Sequence, residues 1–244
     1  MKPLSLVSIS LLLLTLTTPM LSQETQSQDL PLSLQAESRD NQWWKDRHAA
    51  KLKVRDEMEN IDVLFIGDSI THSWETRGKE VFDEYFSDWD IFNIGYSGDR
   101  TEHVIWRLQN GEVDGISPKV AVMMIGTNNT GHRKDKPEDT AAGIKKILEE
   151  LGERLPDTKI LLLGIFPRDA NPDGAGRKLN DATNELIKDY ADEERIWFLN
   201  INDQFLNDDG HLPESIMPDR LHPNAEGYKI WAEAMKDQIA ELAK

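Results

Sequence analysis

The 244-residue chain has no cysteine. That excludes disulfide cross-links, a cysteine-linked lipid anchor and thiolate metal sites, so stability has to come from packing. Basic charge is in short supply: 28 Lys and Arg face 44 Asp and Glu, for a net charge of −16. A surface of that sign repels phosphate backbones, and nucleic acid is not an expected partner. Long apolar runs are missing beyond the N-terminus, so no stable membrane insertion of the mature protein is expected. No His-Glu-x-x-His or comparable ligand spacing occurs, and no metal or organic cofactor is expected.

What the chain does have begins with Lys2 and an uncharged run from Leu4 to Leu16 rich in Leu, Ile and Val. This is a signal-peptide pattern over residues 1–22, and it predicts export to the periplasm or beyond. Met20 makes a poor cleavage site after Ser22, which keeps an uncleaved N-terminal anchor as the rival reading. Residues 1–22 hold one Lys and no acid, so their removal takes the charge from −16 to −17. Residues 23–40, rich in Gln, Ser and Asp, read as a flexible tether. Residues 41–244 then suit a single domain whose fold starts near Trp43.

Within that domain, apolar runs at Val63 to Gly67, Ile91 to Ile94, Val120 to Ile125, Ile160 to Gly164 and Ile196 to Leu199 are continuous rather than alternating. Strands buried on both faces of a parallel sheet have this character. Between them lie helical patterns. Ile144, Ile147, Leu148, Leu151 and Leu155 make one stripe between Pro137 and Pro156; Tyr228, Trp231, Ala232, Met235, Ile239 and Leu242 make another on a last helix opened by Pro223. The prediction is a doubly wound three-layer α/β/α sandwich on a five-stranded parallel sheet. Ligands of such folds sit at the strands' C-terminal ends, which singles out the loops Gly67–Thr71, Gly95–Asp99 and Gly126–Asn129.

Ser69 follows a strand at a helix start, where free N–H groups favour developing negative charge; the plainer reading is a helix cap. Asp219 and His222, three apart, can pair as carboxylate and base, and His222 at the start of the last helix would be kept neutral. The plainer reading there is an Asp cap beside a solvated His. Ser97 is a weak rival nucleophile, because Asp99 stands where a Gly-x-Ser-x-Gly elbow needs glycine. His132 is the competing candidate for a substrate contact. The seven tryptophans read mainly as core, with sugar binding as the alternative.

Gly67-Asp68-Ser69, Asn93-Ile94-Gly95-Tyr96-Ser97-Gly98-Asp99, Gly126-Thr127-Asn128 and Asp219-Arg220-Leu221-His222, in that order, resemble the four sequence blocks of the SGNH (GDSL-type) hydrolases. Together with Gly98 to Leu108, they resemble in particular the catalytic subunits of intracellular platelet-activating-factor acetylhydrolase and their bacterial relatives. The resemblance implies the flavodoxin-like SGNH fold, Ser69 as nucleophile, His222 as base and Asp219 as its orienting carboxylate. It also implies an oxyanion hole of Ser69 N–H, Gly98 N–H and the Asn128 amide. The expected activity is hydrolysis of short acyl esters, acetyl above all, on a small molecule or a glycan. A lysophospholipase or thioesterase on the same scaffold and a non-catalytic carbohydrate-binding protein are the alternatives, and a homodimer is left open.

Overall fold

β-Branched and large apolar residues favour the pleated, buried surface of a sheet, and all five runs form strands. The computed structural model describes residues 30–244. Its strands are β1 (Val63–Gly67), β2 (Ile91–Gly95), β3 (Val120–Met124), β4 (Lys159–Leu163) and β5 (Ile196–Leu199). They form one parallel sheet in the order β2-β1-β3-β4-β5. The strand order reverses between β1 and β3, which is where such sheets open a crevice. Gly67 pairs with Gly95 on one side and Met124 on the other, so three chains leave the sheet at one level.

Helices cover both faces. Leu64, Ile66, Phe92, Ile94, Ala121 and Met123 point into one core with Trp44 of α1 (Gln42–Glu57), Ile105 and Leu108 of α4 (Thr101–Gln109) and Ile144 and Ile147 of α5 (Pro137–Arg154). The alternate residues Val63, Phe65, Val120, Val122, Leu161 and Leu163 meet Phe86 of α3 (Lys79–Phe86) and Trp231, Met235 and Ile239 of α7 (Ala225–Leu242). Each such side chain, fully buried, contributes about 1.5–3 kcal/mol. The remaining α-helices among the described residues are the single turn α2 (Ser69–His72) and α6 (Ala175–Ile187).

Two expectations change, and one falls outside what the structure describes. The signal peptide expected over 1–22 lies outside the described residues. The expected tether is described from residue 30, and from Ser33 onward it is strapped to the domain: Ser33 is buried, its hydroxyl donates to the Asp139 carbonyl at 2.6 Å, and its carbonyl accepts from Thr101 Oγ1 at 2.9 Å. The Glu37 N–H donates to the Glu102 carbonyl at 3.2 Å. Finally, α7 is capped by Asn224, whose side chain accepts from Gly227 N–H, so Pro223 stands before the cap and His222 is not at the helix start. The dipole argument for a neutral His222 therefore lapses, because that effect fades beyond the terminal turn.

Candidate active site

β1 ends in Gly67, which has no room for a Cβ: one would stand 2.1 Å from Thr71 Oγ1 and 2.5 Å from the Met124 carbonyl oxygen. The chain can therefore fold straight back into α2. Asp68, not Ser69, is the cap of that helix, accepting from Ile70 N–H at 3.0 Å. This frees the Ser69 hydroxyl, which lies 2.9 Å from His222 Nε2. His222 Nδ1 in turn lies 2.7 Å from Asp219 Oδ2.

The Asp219–His222 segment is a tight turn. Asp219 Oδ1 accepts from the N–H groups of Leu221 (3.1 Å) and His222 (2.7 Å). Arg220 takes a left-handed φ of +58°, which costs a non-glycine residue roughly 1–2 kcal/mol. Its guanidinium offsets that by donating to the Leu212 carbonyl and, at 2.9 Å, to Glu214. Burial opposes charge on Asp219, but the hydrogen bonds from the His222 backbone and ring outweigh it and hold the carboxyl below its usual range. Asp219 is thus ionised near neutral pH, fixes the proton on Nδ1 and leaves Nε2 free to accept from the serine.

The second loop is a β-turn closed by Asp99 N–H to the Tyr96 carbonyl at 3.1 Å, with Gly98 at φ +81°, as the third position of a type II turn requires. The turn's bond uses the Asp99 N–H and leaves that of Gly98 without a protein acceptor. Asn128 is buried beyond β3, and its amide donates one hydrogen to the Asp99 carbonyl at 2.9 Å while the other stays free. The Ser69 N–H, in the helix's first turn, has no acceptor either. Three loops leaving one end of the sheet, the first carrying the Ser69 hydroxyl, thus each hold a donor hydrogen with no protein acceptor, a set that can serve an oxyanion.

The other candidates for nucleophile and base fall away. Ser97 Oγ is bound to His72 Nδ1 at 2.9 Å, and burial with the charge of Arg47 pushes that imidazole down to about 4, a poor base. His132 is exposed in a π-turn (Asn129–Arg133), outside the Ser69–His222–Asp219 line. Among the described residues no group of three or more His, Asp or Glu side chains is placed to hold a metal ion.

The sequence reading missed the residues that hold the Gly95–Asp99 loop. Arg39 donates to the Ser97 carbonyl (2.7 Å), Arg47 to the Gly95 carbonyl (3.0 Å), and Trp44 Nε1 to Asp99 (2.8 Å). Beneath them, fully buried Arg107 donates to Asp99 Oδ2 at 3.0 Å and to Glu112. One signal was available: a cation on the apolar face of Val104, Ile105 and Leu108 implies a buried partner.

The GDSL-like Lipase/Acylhydrolase family model matches residues 65–230, which span all three loops and the Asp219–His222 turn. The chain belongs to this family. This acylhydrolase is 33% identical to human platelet-activating factor acetylhydrolase IB subunit alpha1 over 223 residues, covering 91% of this chain and 93% of that protein. Its identity to the alpha2 subunit of Rattus norvegicus is 34% over 204 residues, with 83% and 86% covered. Among solved structures, it shares its fold with a GDSL-like lipase from Bacteroides thetaiotaomicron (TM-score 0.62, 22% identity, 80% of this chain and 97% of that one). It does so too with an acetylxylan esterase from Geobacillus stearothermophilus (TM-score 0.59, 20% identity, 72% and 93%). The acylhydrolase is a carboxylic ester hydrolase.

Proposed function

We propose that Ser69 is the nucleophile of this esterase, His222 its general base and Asp219 the carboxylate that orients the base. The observation that carries this is the unbroken line from Ser69 Oγ through His222 to Asp219, at 2.9 and 2.7 Å. As His222 Nε2 accepts the hydroxyl proton, Ser69 Oγ bonds to the ester carbonyl carbon, and the oxyanion is held by the Ser69 N–H, the Gly98 N–H and the second amide hydrogen of Asn128. Collapse breaks the ester C–O bond, and the imidazolium gives its proton to the leaving alkoxide. Water, deprotonated by the same imidazole, then releases the acid and restores the serine.

The acyl group is short, acetyl ahead of longer chains, and the ester alcohol is a carbohydrate hydroxyl. The names of two similar proteins, an acetylhydrolase and an acetylxylan esterase, support this. So does the surface: among the described residues the exposed large apolar side chains are Leu30, Leu32, Trp43, Val54 and Leu186, too few to line a groove for a long acyl chain. Export is part of the same reading, supported by Lys2 and the Leu4 to Leu16 run.

The test is steady-state hydrolysis of p-nitrophenyl acetate and octanoate by the wild type and Ser69→Ala. Loss of the nucleophile should lower kcat by about 10⁶-fold, the scale measured in another serine hydrolase. Mass spectrometry of quenched wild type should find one acyl group on Ser69. Near-normal turnover by Ser69→Ala overturns the mechanism; faster octanoate than acetate turnover overturns the short-acyl preference.

A further inference from the structure

We propose that Trp43, His72 and Ser97 form a leaving-group subsite that seats the pyranose ring bearing the ester, immediately beside Ser69. This rests on the reading of Ser69 as the esterase nucleophile.

Trp43 lies in the first turn of α1 and is 41% exposed, whereas Trp44, Trp74 and Trp231 are buried in the core. An exposed indole is ordinarily mobile, but this one is braced. The His72 imidazole runs nearly parallel to it, at 18° with ring centres 6.3 Å apart, an offset that makes the two rings a stepped shelf. The Arg39 guanidinium lies 5.8 Å from the indole centre and is itself tied to the Ser97 carbonyl. His72 is held on its inner side by Ser97 Oγ at 2.9 Å, and its Nε2 faces Glu75 at 3.8 Å.

The shelf stands at the right place. His72 and Ser69 are three residues apart on α2, a rise of about 4.5 Å, on the scale of one sugar ring. Ser97 directly precedes Gly98, so the shelf's inner end borders the loop that offers an oxyanion donor. A ring lying on Trp43 and His72 would therefore carry its ester oxygen toward Ser69.

The chemistry fits a neutral polyol. The axial C–H bonds of a pyranose pack on an aromatic face, and its edge hydroxyls need polar partners. His72 is neutral at working pH, so the shelf carries no charge of its own. With its proton on Nε2 toward Glu75, His72 accepts from the Ser97 hydroxyl at Nδ1. The Ser97 oxygen then keeps lone pairs for a sugar hydroxyl, and the Arg39 guanidinium offers a donor at the same rim. Ser97, which fails as a nucleophile, thereby gains a use.

The experiment compares two acetate esters of different alcohols, acetylated methyl β-xylopyranoside and ring-free ethyl acetate, in the wild type, Trp43→Ala and Trp43→Phe. Trp43→Ala should raise KM for the sugar ester by about tenfold, equivalent to ~1.4 kcal/mol of lost contact. Ethyl acetate kinetics should move by less than about twofold, within the usual scatter of a surface substitution. Trp43→Phe should restore most of the sugar affinity. Binding without turnover is read by titration calorimetry of Ser69→Ala with the sugar ester; the dissociation constant should rise by about tenfold in the Trp43→Ala, Ser69→Ala double variant. Equal losses on both esters, an unchanged sugar KM, or no saturable binding to Ser69→Ala would overturn the subsite. Ester hydrolysis that survives Ser69→Ala would instead sink the catalytic reading, with the titration still deciding the subsite.

Discussion

Two carboxylates serve the same cleft from opposite surroundings. Asp219 keeps 49% of its side chain exposed, on a turn just ahead of α7, while Asp99 keeps none, locked under the second loop by Arg107, Trp44 and Arg39. In the proposed mechanism the exposed one holds a group that must gain and lose a proton every cycle, and access to water keeps that protonation change cheap. The buried one never has to change state. Its role is geometric: its carboxylate ties down the loop carrying Gly98, and its carbonyl takes one hydrogen of Asn128. Chemistry on a turn and geometry in the core is a division that follows from what burial does to charge, since a buried ion is stable only while its partners stay fixed.

The largest effect that can break this comparison is kinetic. Asp219→Asn keeps the shape and the Oδ1 acceptor for Leu221 and His222, but its amide turns an N–H toward His222 Nδ1. The imidazole is then driven to carry its proton on Nε2, where it can no longer accept from Ser69. The expected loss in kcat is on the order of 10⁴-fold, as for the same change in another triad. The melting temperature should hardly move, because the carboxylate is half exposed and its charge is screened. Steady-state kinetics beside a thermal melt decide it, and a large fall in stability would make Asp219 a structural residue like Asp99.

Arg107→Met should behave in the opposite way. It removes the cation between Asp99 and Glu112, both buried, and leaves two carboxylates without their shared partner. Glu112 feels burial first, and it is Arg107, with His48 and Tyr96, that holds its carboxyl below the usual range. Breaking such a set typically costs about 3–5 kcal/mol. Urea denaturation should show that loss, with kcat falling far less than in Asp219→Asn wherever the variant remains folded. A cost below about 1 kcal/mol, the range of an exposed pair, would mean the cluster is not the frame of the second loop.

The same contrast explains what could be read from the sequence. The five strands were legible because burial on both faces writes continuous apolar runs, and α5 and α7 because one stripe repeats over 18 residues each. Ser69, Gly98, Asn128, Asp219 and His222 were legible because each sits in a short local motif. α2 is four residues long and has no period to detect, so Asp68 as its cap was invisible. The strap that begins at Ser33 reads as a tether in the sequence because its polar composition says nothing of Ser33 finding the Asp139 carbonyl 106 residues away. Arg39 and Trp44 were missed for the same reason, their partners being 58 and 55 residues away, whereas Arg107, with Asp99 and Glu112 only eight and five residues off, left its signal in the apolar face it sits on. Pro223 misled because proline favours both the first turn of a helix and the approach to one.

A third carboxylate sharpens the comparison with the smallest effect. Asp68 is as buried as Asp99 but has no cation bonded to it; burial, helped by the charge of Asp99 and opposed by the Ile70 N–H, pushes its carboxyl up to about 7. The folded protein therefore holds a proton there that the unfolded chain has already lost above its ordinary value of 3.8. This group's contribution to stability is full below that value, declines as pH rises toward 7 and levels off above it. Asp68→Asn abolishes that slope while keeping an oxygen for Ile70 N–H. Its new N–H₂ lacks the acceptor it needs, which costs about 1–3 kcal/mol at every pH. The variant should therefore be less stable than the wild type at pH 4, where Asp68 is neutral and has one donor hydrogen to place against the two of the amide. At pH 8 it should be more stable by about 1 kcal/mol, once the cost of the buried charge outweighs the orphaned amide. Urea titrations of both proteins across that range should give curves that cross. Parallel curves would mean that Asp68 does not change its protonation across that range, and that its burial beside this cleft is matched by a partner.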